Sequence, residues 1–204
     1  MAAKTPKLDL YKERKAEYVA RKAPSLVTVG RAGYLAIVGQ GPPGGEAFTA
    51  GLCALYAAAF TVKMTSKFAG RDYKVCHLEG LWWSDDGAEA LLDGPREAWR
   101  WRLMIRVPEF IGPDQLAATV EALLAKGKGP EVAEVTLAEL AEGLCVQRLH
   151  VGPYAEEGAA MRAMSAFARE RGLSLHGRHH EIYLSDARRV APERLRTILR
   201  HPVR

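Results

Sequence analysis

One pattern occurs twice in this chain and constrains its fold more than any single segment. In the first half a strand runs into Gly41-Pro42, a long helix follows, and a later strand carries His77-Leu78-Glu79. In the second half a strand runs into Gly152-Pro153, a helix follows, and a strand carries His179-His180-Glu181. Recurrence of one unit at a fixed spacing is the mark of internal duplication. β-α-β patterns also recur by chance, and the repeat alone does not say how the two copies pair.

The individual elements follow from periodicity. Leu26 to Val38 is rich in β-type residues and reads as a strand or a bent pair of strands. Gly39 to Gly45 breaks it, and without a following Lys-Ser/Thr the glycines make a turn rather than a phosphate loop. From Glu46 to about Lys67, Phe48, Leu52, Leu55, Ala59 and Val62 mark one helical face, which Tyr56 and Phe60 widen. Residues 73–83 are expected to form a strand with Glu79, Leu81 and Trp83 on one side. Trp99 to Val107 alternates Trp, Leu, Ile and Val with Arg100, Arg102, Met104 and Arg106, the period of a sheet with one wet face. Pro113 opens a helix that ends by Gly127, and residues 128–131 form a soft boundary between the halves. The stretch 132–142 can be strand or helix. Gly143 to Val151 and His176 to Ser185 read as strands around a helix from Glu156 to Gly172. The run from Pro192 to Leu199 is either a helical turn or a final strand.

Composition excludes several function classes. The net charge of +5 divides unevenly: residues 1–25 hold seven Lys/Arg against three acids, and residues 186–204 hold six Arg against two acids. The remaining middle is mildly acidic. Basic residues gathered in two terminal segments, rather than on one recognition element, argue against direct nucleic-acid binding. Three scattered cysteines, Cys53, Cys76 and Cys145, form no CxxC pair, which fits a reducing, cytoplasmic setting. The charged N-terminus lacks a signal-peptide core, and no apolar run long enough to span a membrane interrupts the chain.

From about Lys22 to the C-terminus the stretches YLAIVGQGPPGGEAF, YKVCHLEGLWW, WRLMIRVPEF, QRLHVGPY and GRHHEIYLSDARRVAPERLRTILRHPV resemble the GyrI-like small-molecule-binding family. The resemblance implies an α+β fold: tandem, pseudo-twofold-related β-α-β-β units forming an antiparallel sheet with two main helices packed against it. It implies a basic N-terminal arm over 1–24 and a single GyrI-like domain over 25–204, with halves at about 25–127 and 132–204. It also places a ligand pocket near the pseudo-twofold axis. Related effector domains of multidrug-responsive regulators set a glutamate of the second half, matched here by Glu181, against cationic aromatic drugs. Some stand-alone relatives hydrolyse the strained cyclopropane of cyclopropanoid DNA-alkylating compounds. No helix-turn-helix precedes the domain in this sequence, so a transcription-factor role is not expected, and contact with DNA gyrase has no supporting feature of its own.

On a regular strand His179, Glu181 and Tyr183 share one face while His180, Ile182 and Leu184 take the other. A glutamate among aromatic rings is desolvated, can balance a cationic ligand, and can activate a water as general base. Glu181 is therefore the expected base, with Tyr183 and Tyr154 as hydroxyls that stabilise charge on a substrate carbonyl. Trp82, Trp83 and Trp101 are candidate aromatic walls, joined by Tyr56, Glu79 and His179 as ligand-binding candidates, whereas Trp99 is assigned to the core. His77, Glu79, His179 and Glu181 could supply four ligands if the two His-x-Glu pairs converged, but no metal or cofactor is expected. The expected partner is a small aromatic, hydrophobic or cationic molecule, bound for hydrolysis or for sequestration; the sequence leaves the oligomeric state open.

Overall fold

The computed structural model describes residues 7–85 and 94–204; residues 1–6 of the basic N-terminal segment lie outside the described residues. Eight antiparallel strands form one sheet: β1 (Ser25–Val29), β2 (Ala32–Gln40), β3 (Leu78–Trp83), β4 (Arg100–Arg106), β5 (Thr136–Leu140), β6 (Gly143–Val151), β7 (His179–Tyr183) and β8 (Arg196–Pro202). Their order is β1-β6-β8-β7-β3-β4-β2-β5. Exchanging β1 with β5, β2 with β6, β3 with β7 and β4 with β8 reproduces that order read backwards, so the duplication is a pseudo-twofold whose axis lies between β3 and β7. Each half adds one strand to the expected β-α-β-β unit. The added strands, β1 and β5, cross to the opposite half, where β1 pairs with β6 and β5 with β2. The ambiguous stretch 132–142 is thus a short 3-10 turn (Pro130–Glu134) followed by an edge strand, and the last uncertain segment is β8.

Helices α1 (Leu10–Glu13) and α2 (Lys15–Tyr18) are single turns, whereas α3 (Glu46–Phe68), α4 (Pro113–Ala125) and α5 (Glu157–Arg169) are longer. Leu55, Ala58, Ala59 and Val62 of α3 are buried with Leu35, Ile37, Leu103 and Ile105 of the sheet. Each large aliphatic side chain so enclosed contributes about 1.5–3 kcal/mol. By length and a mean hydropathy of 1.4, α3 would also suffice to cross a bilayer; its inward face is instead taken up by this core. Phe60 does not widen the buried face as expected: it is 54% exposed. Helix α5 packs the same sheet face over the second half through Ala160, Met164 and Ala168.

The reverse face of the sheet is largely covered, with Arg100 and Val38 left exposed towards one end. The segment from Leu8 to Arg21 lies across it, bridging to Tyr73 through Leu8 and hydrogen-bonding Leu149 through the Arg21 carbonyl. Met104 and Arg106, expected to face solvent on β4, are 0% and 4% exposed: Met104 packs among Tyr34, Ala36 and Leu81 of the neighbouring strands, and Arg106 is covered by the N-terminal segment. Arg106 Nη1 donates to Glu17 Oε2 at 2.6 Å and to the Tyr18 hydroxyl at 3.0 Å. Arg200, one of the six arginines of the basic C-terminal segment, is also buried; its Nη1 meets Glu142 Oε2 at 3.2 Å and its Nε meets Gln147 Oε1 at 3.3 Å. Unpaired, such charges would cost several kcal/mol each.

Gly39 shows how tightly the helix-side face is filled. A Cβ there would stand 2.2 Å from the Trp101 ring, and Trp101 is held from the other side by Phe48 at 5.5 Å between ring centroids. Gly39→Ala is therefore expected to lower stability by about 1–3 kcal/mol or more, measured by chemical denaturation, whereas Gly33→Ala, which meets nothing within 4 Å, should change it little.

Candidate functional site

Over the pseudo-twofold axis, on the helix side of the sheet, α3 and α5 splay apart around a cavity of ≈ 1090 Å³. Its floor is β3 and β7. Their register pairs Gly80 with Glu181 and Trp82 with His179, so the alternation that brings Glu181, His179 and Tyr183 to the floor brings Trp82 there as well. Gly80 has no side chain to offer, and that absence matters: a Cβ would meet the Trp82 Nε1 at 3.0 Å and the Tyr183 hydroxyl at 3.1 Å. In the space left, the Trp82 indole N–H donates to the Tyr183 oxygen at 3.0 Å.

The walls are aromatic. Phe48 stacks on Trp82 with centroids 5.9 Å apart, Trp99 meets Trp82 edge-on at 5.9 Å, and Tyr154 meets Tyr183 edge-on at 5.8 Å. Tyr56 and Phe60 continue the wall along α3. Among the expected residues, Glu181, Tyr183, Tyr154, Trp82, Tyr56 and His179 converge on this one cavity. Among the described residues, neither ring nitrogen of the buried His179 finds a hydrogen-bond partner, although its Nε2 stands 3.5 Å from Glu181 Oε1.

Three expectations are corrected. Glu79 and Trp83 belong to the reverse face, because β3 pairs Glu79 with Ile182 and the floor of the cavity takes the even-numbered residues of that strand. The His-x-Glu repeat suggests that Glu79 matches Glu181 at an offset of 102 residues. An even offset swaps the faces here, since one residue of slip turns every side chain over; a pairing that preserves faces must use an odd one. The four-residue His/Glu metal constellation therefore does not form. Trp101 is 1% exposed and lies behind Phe48, filling the space over Gly39 and Gly51. Trp99, assigned to the core, packs against that core and lines the cavity as well.

The residue that sequence reasoning missed is Glu157. At the start of α5 it reads as an ordinary first-turn acid complementing the helix dipole, and the only hint was its place just after the Gly-Pro turn and Tyr154. In the fold it is 6% exposed and faces Glu181. Burial and the negative charge of Glu181 push its carboxyl up to about 10, a shift that neighbouring Thr197 only partly opposes. Glu157 thus holds a proton at neutral pH while facing a second carboxyl group, the arrangement that can separate an acid from a base within one pair. Tyr154 is raised to about 12 by burial and by the charges of Glu157 and Glu181, and Tyr183 is raised by burial and Glu181, so both phenols stay neutral donors. Glu157, His179 and Glu181 each place a donor atom within 4.8 Å of the others.

The comparisons with known proteins agree with this geometry. A model of the GyrI-like small-molecule-binding domain matches residues 111–204, and no curated protein matches the chain. The chain is similar to an uncharacterized conserved protein from Listeria innocua, with 35% identity over 97% of this chain and 100% of that one and a TM-score of 0.90. It is similar to a hydrolase from Listeria innocua, with 36% identity over 97% and 100% of the two chains and a TM-score of 0.86. The C-terminal domain of EcmrR shares the fold at 11% identity, covering 89% of this chain and 96% of that one with a TM-score of 0.58.

Keeping Glu157 protonated costs free energy. Its raised folded-state pKa means that stability is fully present below the unfolded value near 4.5 and is lost as pH rises towards about 10. Glu157→Gln should therefore stabilise the protein at pH 7 by about 2–3 kcal/mol, with the gain vanishing below pH 4. A residual slope should remain in that variant as pH rises from 6.5 through 9, where His180, depressed by burial but raised further by Glu142 and Glu79 to about 9, loses its proton. Denaturant titrations across this range measure both effects.

Proposed function

Because the chain belongs to the GyrI-like small-molecule-binding family, we propose that its cavity binds flat aromatic electrophiles and hydrolyses their strained ring, cyclopropanoid alkylating compounds being the substrate class. The observation that carries this reading is the Glu157–Glu181 pair. It offers a carboxylate and a carboxylic acid side by side among aromatic walls, and a hydrolase needs both at neutral pH.

The step balances with these groups alone. A water held by Glu181 attacks the methylene carbon of the three-membered ring and gives its proton to that carboxylate. The carbon–carbon bond of the cyclopropane breaks, and its electron pair moves through the conjugated system onto the carbonyl oxygen. Tyr154 and Tyr183 stabilise the oxyanion as hydrogen-bond donors, and Glu157 supplies the proton that makes it a phenol. The proton taken up by Glu181 then passes to the neighbouring Glu157, which restores the pair, and the sum is addition of one water. The aromatic walls hold the substrate plane by stacking and exclude bulk water, which strengthens the electrostatic contacts inside. The kinship with a Listeria innocua hydrolase supports chemistry over mere binding.

The alternative is a module that sequesters cationic aromatic drugs without converting them. The same cavity serves it, with Glu181 as counter-charge.

Incubation with a cyclopropanoid alkylator followed by mass spectrometry separates the two. Catalytic gain of one water is the expected result. Glu181→Gln should lower turnover at least a hundredfold while leaving affinity for a neutral aromatic ligand within a few fold. Tight binding with no conversion by the unmodified protein would sink the hydrolase reading and leave sequestration.

A further inference from the structure

Strand β7 carries two systems back to back. Glu181 and His179 face the cavity, and between them His180 faces the reverse side, fully buried. Its Nε2 meets Glu79 Oε2 on β3 at 3.1 Å, and its Nδ1 meets Glu142 Oε2 in the turn between β5 and β6 at 3.0 Å. Glu142 is also held by Arg200 on β8, so this one set of contacts ties β7 to both neighbouring strands in the row next to Glu181. The set is completed by the N-terminal segment. The Tyr18 hydroxyl donates to Glu79 Oε1 at 3.0 Å, the Arg200 guanidinium binds the Glu17 carbonyl, and Gln147 Nε2 donates to the Val19 carbonyl at 3.3 Å. Tyr11 reaches the cavity wall itself: its hydroxyl accepts from the backbone N–H of His77, and the two rings lie 4.8 Å apart. Three acids, Glu17, Glu79 and Glu142, face three cations, Arg106, His180 and Arg200, so the layer is balanced as well as buried.

We propose that Tyr18, Glu79 and His180 are positioning residues for the Glu157–Glu181 pair, acting through the strand from the face opposite the cavity. β7 has five residues, and its only long polar anchor opposite the cavity, among the described residues, is His180. When Tyr18 holds one oxygen of Glu79, the other is aimed at His180, and the pitch of β7 about its own axis is fixed. That pitch decides whether Glu181 stands against Glu157 or swings towards the open cavity. A layer of balanced buried charge is an expensive way to hold a sheet that apolar residues could hold as well; a geometric demand on the adjacent residue accounts for it.

This inference rests on the reading of the pair as the reactive centre, and its test uses a signal that needs no substrate. The protonated carboxyl of Glu157 gives an infrared band, assigned by its loss in Glu157→Gln, whose disappearance with rising pH reports the separation of the two carboxyls. Among the described residues, the groups facing Glu157 are Glu181 and His179 on β7, Thr197 on β8 and Tyr154 on its own turn; none of them is altered in the variants below. In the unmodified protein the band is expected to persist to about pH 10. In Tyr18→Phe and in Glu79→Gln the midpoint should fall by at least one pH unit. Turnover of a cyclopropanoid alkylator should fall at least tenfold with KM changed less than threefold, and a Tyr18→Trp control, which removes the same hydroxyl, should not restore it. A cooperatively melting variant of either kind with an unshifted midpoint overturns the proposal. So does failure of both variants to fold, which would make the layer structural only. A shifted midpoint in a protein that never converts the alkylator would keep the positioning role and refute the hydrolase reading.

Discussion

Everything at the centre of this molecule depends on the antiparallel pairing of β3 with β7. That pairing joins the two halves, sets the floor of the cavity and, through the period of two, decides which side chains meet the ligand space. Gly80 opposite Glu181 and Trp82 opposite His179 is a register of alternating small and large groups. It leaves a hollow over the axis where a symmetric pair of bulky residues would have filled it. The cavity thus depends on the asymmetry of these cross-strand pairs.

The two faces of that pairing were unequally legible in the sequence. Alternation on β4 and the helical stripe on α3 follow from local periodicity, and so does the division of His179, Glu181 and Tyr183 from His180 and Ile182. What local periodicity cannot give is what covers a face. Arg100, Arg102 and Arg106 look alike in sequence, yet only Arg106 is enclosed, because Glu17 and Tyr18 reach it from nearly ninety residues away. Glu79 went astray for a different reason. Motif similarity aligned it with Glu181, but side-chain direction on a strand depends on register, and the HxE match is out of register by an odd step. Glu157 was unreadable because its role is created by where α5 begins relative to β7, a tertiary fact without a local signature.

The aromatic residues teach the same lesson in packing terms. Four tryptophans offered no way to tell wall from core. Gly39 and Gly51 settle it, since the room that they leave admits the Trp101 ring and takes it out of the cavity. Trp99, one residue before β4 begins, keeps to the helix side of the sheet but lies beyond the helix cover that encloses Trp101, and meets Trp82 edge-on.

The contrast between the two sides of β7 has a physical logic. On the reverse side charges are matched three to three and their hydrogen bonds are largely made, as burial requires. On the cavity side two carboxyls crowd together, His179 has no hydrogen-bonding partner for either nitrogen, and one Glu157 oxygen is likewise unmatched. Unmatched polar groups in a protein interior are destabilising unless something binds them. The strand can carry that cost because the rows on its other face are rigidly held, and the free energy withheld by the unsatisfied groups becomes available to a ligand that satisfies them. Rigidity on one face and frustration on the other are therefore two parts of one device, and the five residues of β7 are where they meet.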